Sequence, residues 1–420
     1  MEKDDTIVKN LLYGLIFTFI IAGAVVSGPA KAFTEFAKLQ IVPARLINDF
    51  VQIGGIGAAL INAAFVGLIG LILILINKVK ISGPTFAAVL TLMGFGLFGK
   101  TVLNILPIIA GVYLAARYVD NEFKQYIIIA LFGTALGPVV SFIAFEFGLT
   151  GITGILTGMF LGLITGFILP ALAVSMLHLH QGFNLYNMGL TCGFFGLFAS
   201  AFVLASGHKY EKQLNWYDGD SSFLIWLVPV MSLIFIAIGF IFDKKNAFKA
   251  FKNIQKIPGR LPSDFMVMES MEGALINSGL IGLFGSLYVF AVGADFNGPV
   301  IGGLLTIMGF AAFGTNLRNS WPVVAGVVIA ALLFNFGLAE PGPILAAIFV
   351  TTLGPLAGEF GWKTGIFAGF THMVMVSQTG GWHGGMNLYN NGFAGGLTAA
   401  LIVAIIQWYK ANKPLNSSEF

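Results

Sequence analysis

A long stretch that recurs in register, in a chain too apolar for water, limits the fold more than any single motif. Residues 32–111 align without a gap to residues 247–326, each recurring 215 positions later. Roughly 29 of about 80 positions are identical, well beyond what a shared composition supplies. Matches between glycines or leucines follow from composition alone. Matches of Gln40 with Gln255, Arg45 with Arg260, Asp49 with Asp264, Asn62 with Asn277 and Asn104 with Asn319 do not. Beyond this block the register slips at loops, yet Gly137-Pro138 meets Gly354-Pro355, and Glu146-Phe147-Gly148 meets Glu359-Phe360-Gly361. A last motif, His-x-Gly-x-Asn-Leu-Tyr-Asn-x-Gly, fills 180–189 and again 383–392. The chain therefore reads as two copies of one unit, 1–206 and 222–420, joined by a linker at 207–221.

The solvent of these units is lipid. Of the 420 residues, 57% are hydrophobic and 10% charged, and the mean hydropathy is +0.88. A soluble domain carries about a quarter charged residues, and most of any globular surface must still face water. In hydrocarbon every backbone polar group needs an internal partner, which leaves helices or closed barrels. Each half holds seven long apolar runs, so the expected fold is an all-α polytopic membrane protein. The run at 11–28 reads as a first membrane helix, because a dozen similar segments follow it. Cys192, alone, makes no disulfide or cysteine metal site. His178 and His180, two apart, do not share a helix face, so no metal is expected. No Gly-rich nucleotide signature follows a strand pattern, and no cofactor is expected. The net charge of +3 is small and clustered, which excludes nucleic acid as a partner.

Basic residues near membrane ends mark the cytoplasmic side. The segment 244–260 carries Lys244, Lys245, Lys249, Lys252, Lys256 and Arg260, while its counterpart 31–49 holds Lys31, Lys38 and Arg45 against Glu35 and Asp49. The tail carries Lys410 and Lys413. The bias favours inverted-topology repeats of about seven helical segments each, in a cell membrane, with both termini cytoplasmic. Lys100 alone lies on the wrong side. Five crossings per half fit equally if the short central segment and its successor form a re-entrant pair.

That segment, 83–99 with its echo 298–314, opens on Gly-Pro and shares the core Leu-Thr-x-Met-Gly-Phe-x-x-Phe-Gly. At about 25 Å as helix it is shorter than a hydrocarbon core. Ser82 and Asn297 precede the starts as N-cap types. Helix starts at Gly83 and Gly298 facing one midplane cavity would offer free N–H groups to an anion or carbonyl. Asn62 and Asn277, amides inside apolar runs, are expected to line the same cavity. Thr91 and Thr306 join them. Asn184, Tyr186 and Asn187, with Asn387, Tyr389 and Asn390, form the most polar repeated motif and are candidate site linings. Glu146, Glu359, His180 and His383 are candidates for gating or ion relay.

The duplicated Gly-Pro…Met-Gly-Phe…Phe-Gly and Asn-Leu-Tyr-Asn-x-Gly motifs resemble an uncharacterised prokaryotic multi-pass membrane protein family built from two tandem copies of one domain. In architecture the chain is also similar to inverted-repeat carriers of the nucleobase or anion type, and in outline to urea transporters with re-entrant segments. The uncharacterised family brings no activity with it; the architectural resemblances imply transport, and no site residue is carried over. The expectation is a transporter or facilitator of a small polar or anionic solute at the interface of two inverted repeats, not an enzyme. Its partners are the lipid bilayer and the solute, with homo-oligomers left open. Alternatives are a channel-like permease for a small neutral solute, an intramembrane enzyme, or a structural or sensory membrane subunit.

Overall fold

A computed structural model describes residues 2–209, 214–219, 222–243 and 245–412. Lys244 and Lys413, which entered the charge argument, and residues 210–213 and 220–221 of the linker lie outside the described residues. All longer regular structure in the described residues is helical, with only isolated β-bridges besides. The first half runs α1 (Glu2–Ser27), α2 (Pro29–Leu39), α3 (Phe50–Ile76), α4 (Gly83–Gly96), α5 (Val102–Tyr118), α6 (Ile127–Gly133), α7 (Gly137–Phe145), α8 (Gly151–His180) and α9 (Asn187–Ala205). The second runs α10 (Ser222–Phe242), α11 (Ala247–Ile254), α12 (Phe265–Met268), α13 (Met271–Val292), α14 (Gly298–Phe310), α15 (Leu317–Leu333), α16 (Pro341–Phe349), α17 (Gly354–Phe360), α18 (Trp362–Trp382) and α19 (Asn390–Asn412).

Nine spans among the described residues are helical, long and apolar enough to cross a membrane. Phe160, Phe202, Trp226, Leu287 and Trp408 are exposed on their outer faces. So wide an apolar surface suits lipid, and a soluble monomer would not leave it bare. The chain is a multi-pass membrane protein in composition and form.

Each structural choice is made twice. The span of α6 and α7 is broken by a 3-10 turn at Thr134–Leu136, and that of α16 and α17 by one at Val350–Leu353. Both restart at Gly-Pro, where proline suits the first helical turn. Both glycines leave room for an asparagine. A β-carbon at Gly137 would stand 2.6 Å from Asn104 Oδ1, and one at Gly354 2.7 Å from Asn319 Oδ1. Small residues also set the helix pairs, as expected where lipid removes any hydrophobic drive between helices. α5 meets α8 at Gly111 and Gly166, and α15 meets α18 at Gly326 and Gly369; a β-carbon at any of the four would collide with the partner's backbone.

At the centre α4 and α14, of 14 and 13 residues, are buried on every side. They lie side by side and antiparallel: Gly83 abuts Ala312 and Phe313, Gly94 abuts Gly302, Ala87 abuts Gly309, and Leu97 abuts Gly298. This differs from the expected geometry. The helix starts do not meet across a cavity but stand at opposite ends of the pair, about 20 Å apart by helix rise. The glycines explain it: backbone can approach backbone along the whole contact. Gly302→Leu should therefore lower folding stability by at least ~2 kcal/mol through overpacking. Gly342→Leu, where a β-carbon meets nothing within 4 Å, should be nearly neutral. Thermal unfolding in detergent followed by size-exclusion recovery checks both.

Candidate functional site

The antiparallel pair turns one face toward a cavity of about 620 Å³. Thr91 and Phe95 enter it from α4, Thr306 and Phe310 from α14, each pair four residues apart on one helix face. Phe132 and Phe349 come from the broken spans, and Tyr186 and Tyr389 from the repeated polar motifs. The inner wall is thus built from matched positions of the two halves and is mostly aromatic. The rings pack edge to face: Tyr186 lies 4.3 Å from Phe310 and Tyr389 4.6 Å from Phe95, centroid to centroid. The lining includes the exposed Arg260, Pro262 and His178 at the surface.

The motif loops are crossed between the halves. Leu185 N–H donates to Thr352 O, in the 3-10 break of the second half, and Leu388 N–H donates to Ala135 O, in the break of the first. Asn184 Nδ2 donates to Gly392 O at 3.1 Å, and Thr352 Oγ1 donates to Asn184 Oδ1 at 2.5 Å. Asn387 Nδ2 reaches Gly189 O at 3.4 Å. Gly189 and Gly392 touch where α9 crosses α19. The histidines hold these loops. Asn184 N–H donates to His180 Nδ1, so Nε2 carries the proton and donates to Asn187 Oδ1 at 2.9 Å. His383 repeats this with Asn387 N–H and Asn390 Oδ1. Both ring nitrogens of each are occupied by orienting bonds.

Several candidates from the sequence stand away from the cavity. Asn62 Nδ2 donates to Gly96 O and Lys100 O and its Oδ1 accepts from Gln40; Asn277 does the same with Ala311 O, Thr315 O and Gln255. Their amide groups are fully engaged in tying each short helix to its own half. Ser82 and Asn297 are N-caps as expected, with Asn297 Oδ1 accepting from Val300 N–H. The free helix starts are claimed by the opposite half. Gly83 N–H donates to Asp264, and the Gly298 amide to Asp49. Burial raises both carboxyls above their usual range, Asp49 to about 6, against the pull of these amides. The first amides of α4 and α14 are thus bonded to protein. Of the expected residues the cavity gathers Thr91, Thr306, Tyr186, Asn187 and Tyr389; Asn184, Asn387 and Asn390 stand behind its wall.

Two sequence-matched loop clusters, of which only that of Arg260 lines the cavity, differ in their bonding. Leu261 N–H donates to Gly182 O and Arg260 Nε to Gln181 O; Leu46 N–H donates to Gly385 O and Arg45 Nη1 to Gly384 O. Arg45 is buried, and Nε and Nη2 grip Glu146 at 2.7–3.1 Å. Asn215 of the linker bridges Asn48, Ile47 and Asp49 beside this cluster. Arg260 is exposed beside the Phe183 ring, and Glu359 is exposed without a cation in contact among the described residues.

One residue escaped the sequence reading. Lys100 is wholly buried, its Nζ 2.5 Å from Tyr389 Oη. The signal was its place against the charge bias, in a repeat whose matched residue is Thr315.

A family described as "Protein of unknown function (DUF1576)" matches residues 28–205 and again residues 243–408. The chain belongs to the DUF1576 family. Its two matches coincide with the two structural copies, so the cavity of this DUF1576 protein lies between tandem copies of the family's domain. No curated protein and no solved structure matches the chain.

The crossed motif should be sensitive at Thr352. Thr352→Val removes the donor to Asn184 and the acceptor for Tyr186 N–H, leaving those two groups only their longer bond to each other at 3.3 Å. A loss of ~1–2 kcal/mol is expected, the scale of two weakened buried hydrogen bonds. Chemical denaturation of the purified variant measures it.

Proposed function

We propose that this DUF1576 protein is a membrane carrier that moves a small solute by exposing the inter-repeat cavity first at one end and then at the other. The observation that carries this reading is the inequality of two sequence-matched ends: Arg45 sealed against Glu146, Arg260 open to the surface. A molecule made of two like halves around one cavity has two such states available, related by exchanging the roles of the halves. Breaking one buried pair while a matched cation seats against Glu359 would keep the two states close in energy.

The halves are oppositely oriented in the membrane in this reading, with both termini cytoplasmic. The charge bias supports it, and so does the antiparallel course of α4 and α14. The basic helix α11 leads into the loop at the open end, so the cavity faces the cytoplasm here. A channel-like permease would offer continuous passage, and the sealed Arg45 end favours the carrier.

The test uses Thr306→Cys in a Cys192→Ser background, probed with an impermeant maleimide from each side of sealed vesicles. Modification from the Arg260 side should dominate. Glu146→Gln should raise the rate from the Arg45 side about tenfold or more, since a buried pair broken on one side is worth well over the ~1.4 kcal/mol of a tenfold population shift. Equal access from both sides in the parent protein would favour the channel. No effect of Glu146→Gln would overturn the gate.

A further inference from the structure

We propose that the solute is a small organic anion with an apolar, ring-sized body and a carboxylate-type head, which seats on Tyr389 and Thr91; this rests on the cavity being the carrier's solute site. The lining bears seven phenylalanine and tyrosine rings, among them Phe95, Phe132, Phe310, Phe349, Tyr186 and Tyr389. Aromatic faces give stacking and area but no replacement for a hydration shell, so a small bare ion would enter at a heavy desolvation cost. A flat apolar body fits both the wall and the volume of about 620 Å³.

The polar end of the cavity is asymmetric. Lys100 Nζ lies over the Tyr389 and Phe95 rings at 4.6 and 5.4 Å and bonds to Tyr389 Oη. No carboxylate bonds to it among the described residues, and an ammonium in an apolar interior requires a counter-charge. With an anion bound Lys100 is held as an ammonium, which can only donate, so the phenol oxygen accepts from it and the phenol hydrogen is left to donate to the anion. No acceptor for that hydrogen is present among the described residues. Thr91 Oγ1, buried on the same wall, also has no partner, whereas Thr306 Oγ1 returns to Gly302 O at 2.8 Å. Tyr186 Oη, across the cavity, also has no partner, but no cation stands beside it; the donor polarised by Lys100, with Thr91 on the same wall, marks where an anionic acceptor belongs. The matched position of Lys100 is the uncharged Thr315. The charge is therefore not a device of the duplicated scaffold, and it gives the two-fold cavity a single polar pole.

Benzoate, benzyl alcohol and acetate are the probes, each titrated against the purified protein in detergent with thermal shift and equilibrium binding as readouts. Benzoate should bind at least about tenfold tighter than either of the others, the scale of one charge-assisted hydrogen bond. Tyr389→Phe keeps the ring and loses the donor, and it should abolish that preference while leaving benzyl alcohol unchanged; Lys100→Met should do the same. If Lys100→Met fails to fold, Tyr389→Phe decides alone. Benzyl alcohol binding as well as benzoate, benzoate binding untouched by Tyr389→Phe, or no binding of benzoate would each overturn the proposal. Benzoate bound selectively but not moved into proteoliposomes would keep the ligand class and overturn the carrier. Benzyl alcohol uptake without benzoate binding would do the reverse.

Discussion

Two short helices packed backbone against backbone, Gly94 on Gly302, hold the rest of this molecule in place. Their closeness at the glycines leaves little room for side chains between them, so each presents larger residues elsewhere. Thr91, Phe95, Thr306 and Phe310 are turned to one face, and the cavity follows from that. The antiparallel course also sends each helix start to the far end of the pair, beneath a loop of the opposite half. Asp49 and Asp264 are there to take the amides. Capping, normally a local matter, becomes the bond between the two copies.

The same exchange recurs at the polar motifs. Each Asn-Leu-Tyr-Asn loop is ordered by its own histidine, yet it bonds to the broken span of the other copy. In lipid an unpaired amide is expensive, so irregular backbone survives only where a partner is at hand. Each copy supplies the other's partner. Neither half could satisfy its central backbone alone, which accounts for tandem copies in one chain. In the proposed carrier, function needs little beyond asymmetry: one copy places Lys100 where the other has Thr315, and Arg45 is paired with Glu146 while the matched Arg260 is exposed.

Much of the fold was legible. Composition set the solvent, register set the duplication, and Gly-Pro with Ser82 and Asn297 set the starts of α4 and α14. The candidate site was legible only in part. Thr91, Thr306, Tyr186, Asn187 and Tyr389 line the cavity; the threonines stand out as matched polar groups in apolar runs, the others as parts of the repeated polar motif. Asn62 and Asn277 stood out for the same reason, yet they face Gln40 and Gln255 in their own copies. Polarity in a sequence shows that a partner is needed; it does not say whether the partner is protein or solute. The helix starts were misjudged for a related reason. Asp49 and Asp264 were visible as matched acids, but which copy each would serve depends on the antiparallel docking, and periodicity carries no sign of it. Lys100 was visible only as an exception to the charge rule.

The central claim is that like halves stand in opposite orientation around the shared pair. Lys38 and Lys252 lie on the matched amphipathic helices α2 and α11, both exposed. In a Cys192→Ser background, cysteine at each position can be labelled on intact cells with an impermeant maleimide. The account predicts labelling at position 38 in intact cells and at position 252 only after the membrane is opened. Labelling of both from the same side would contradict it.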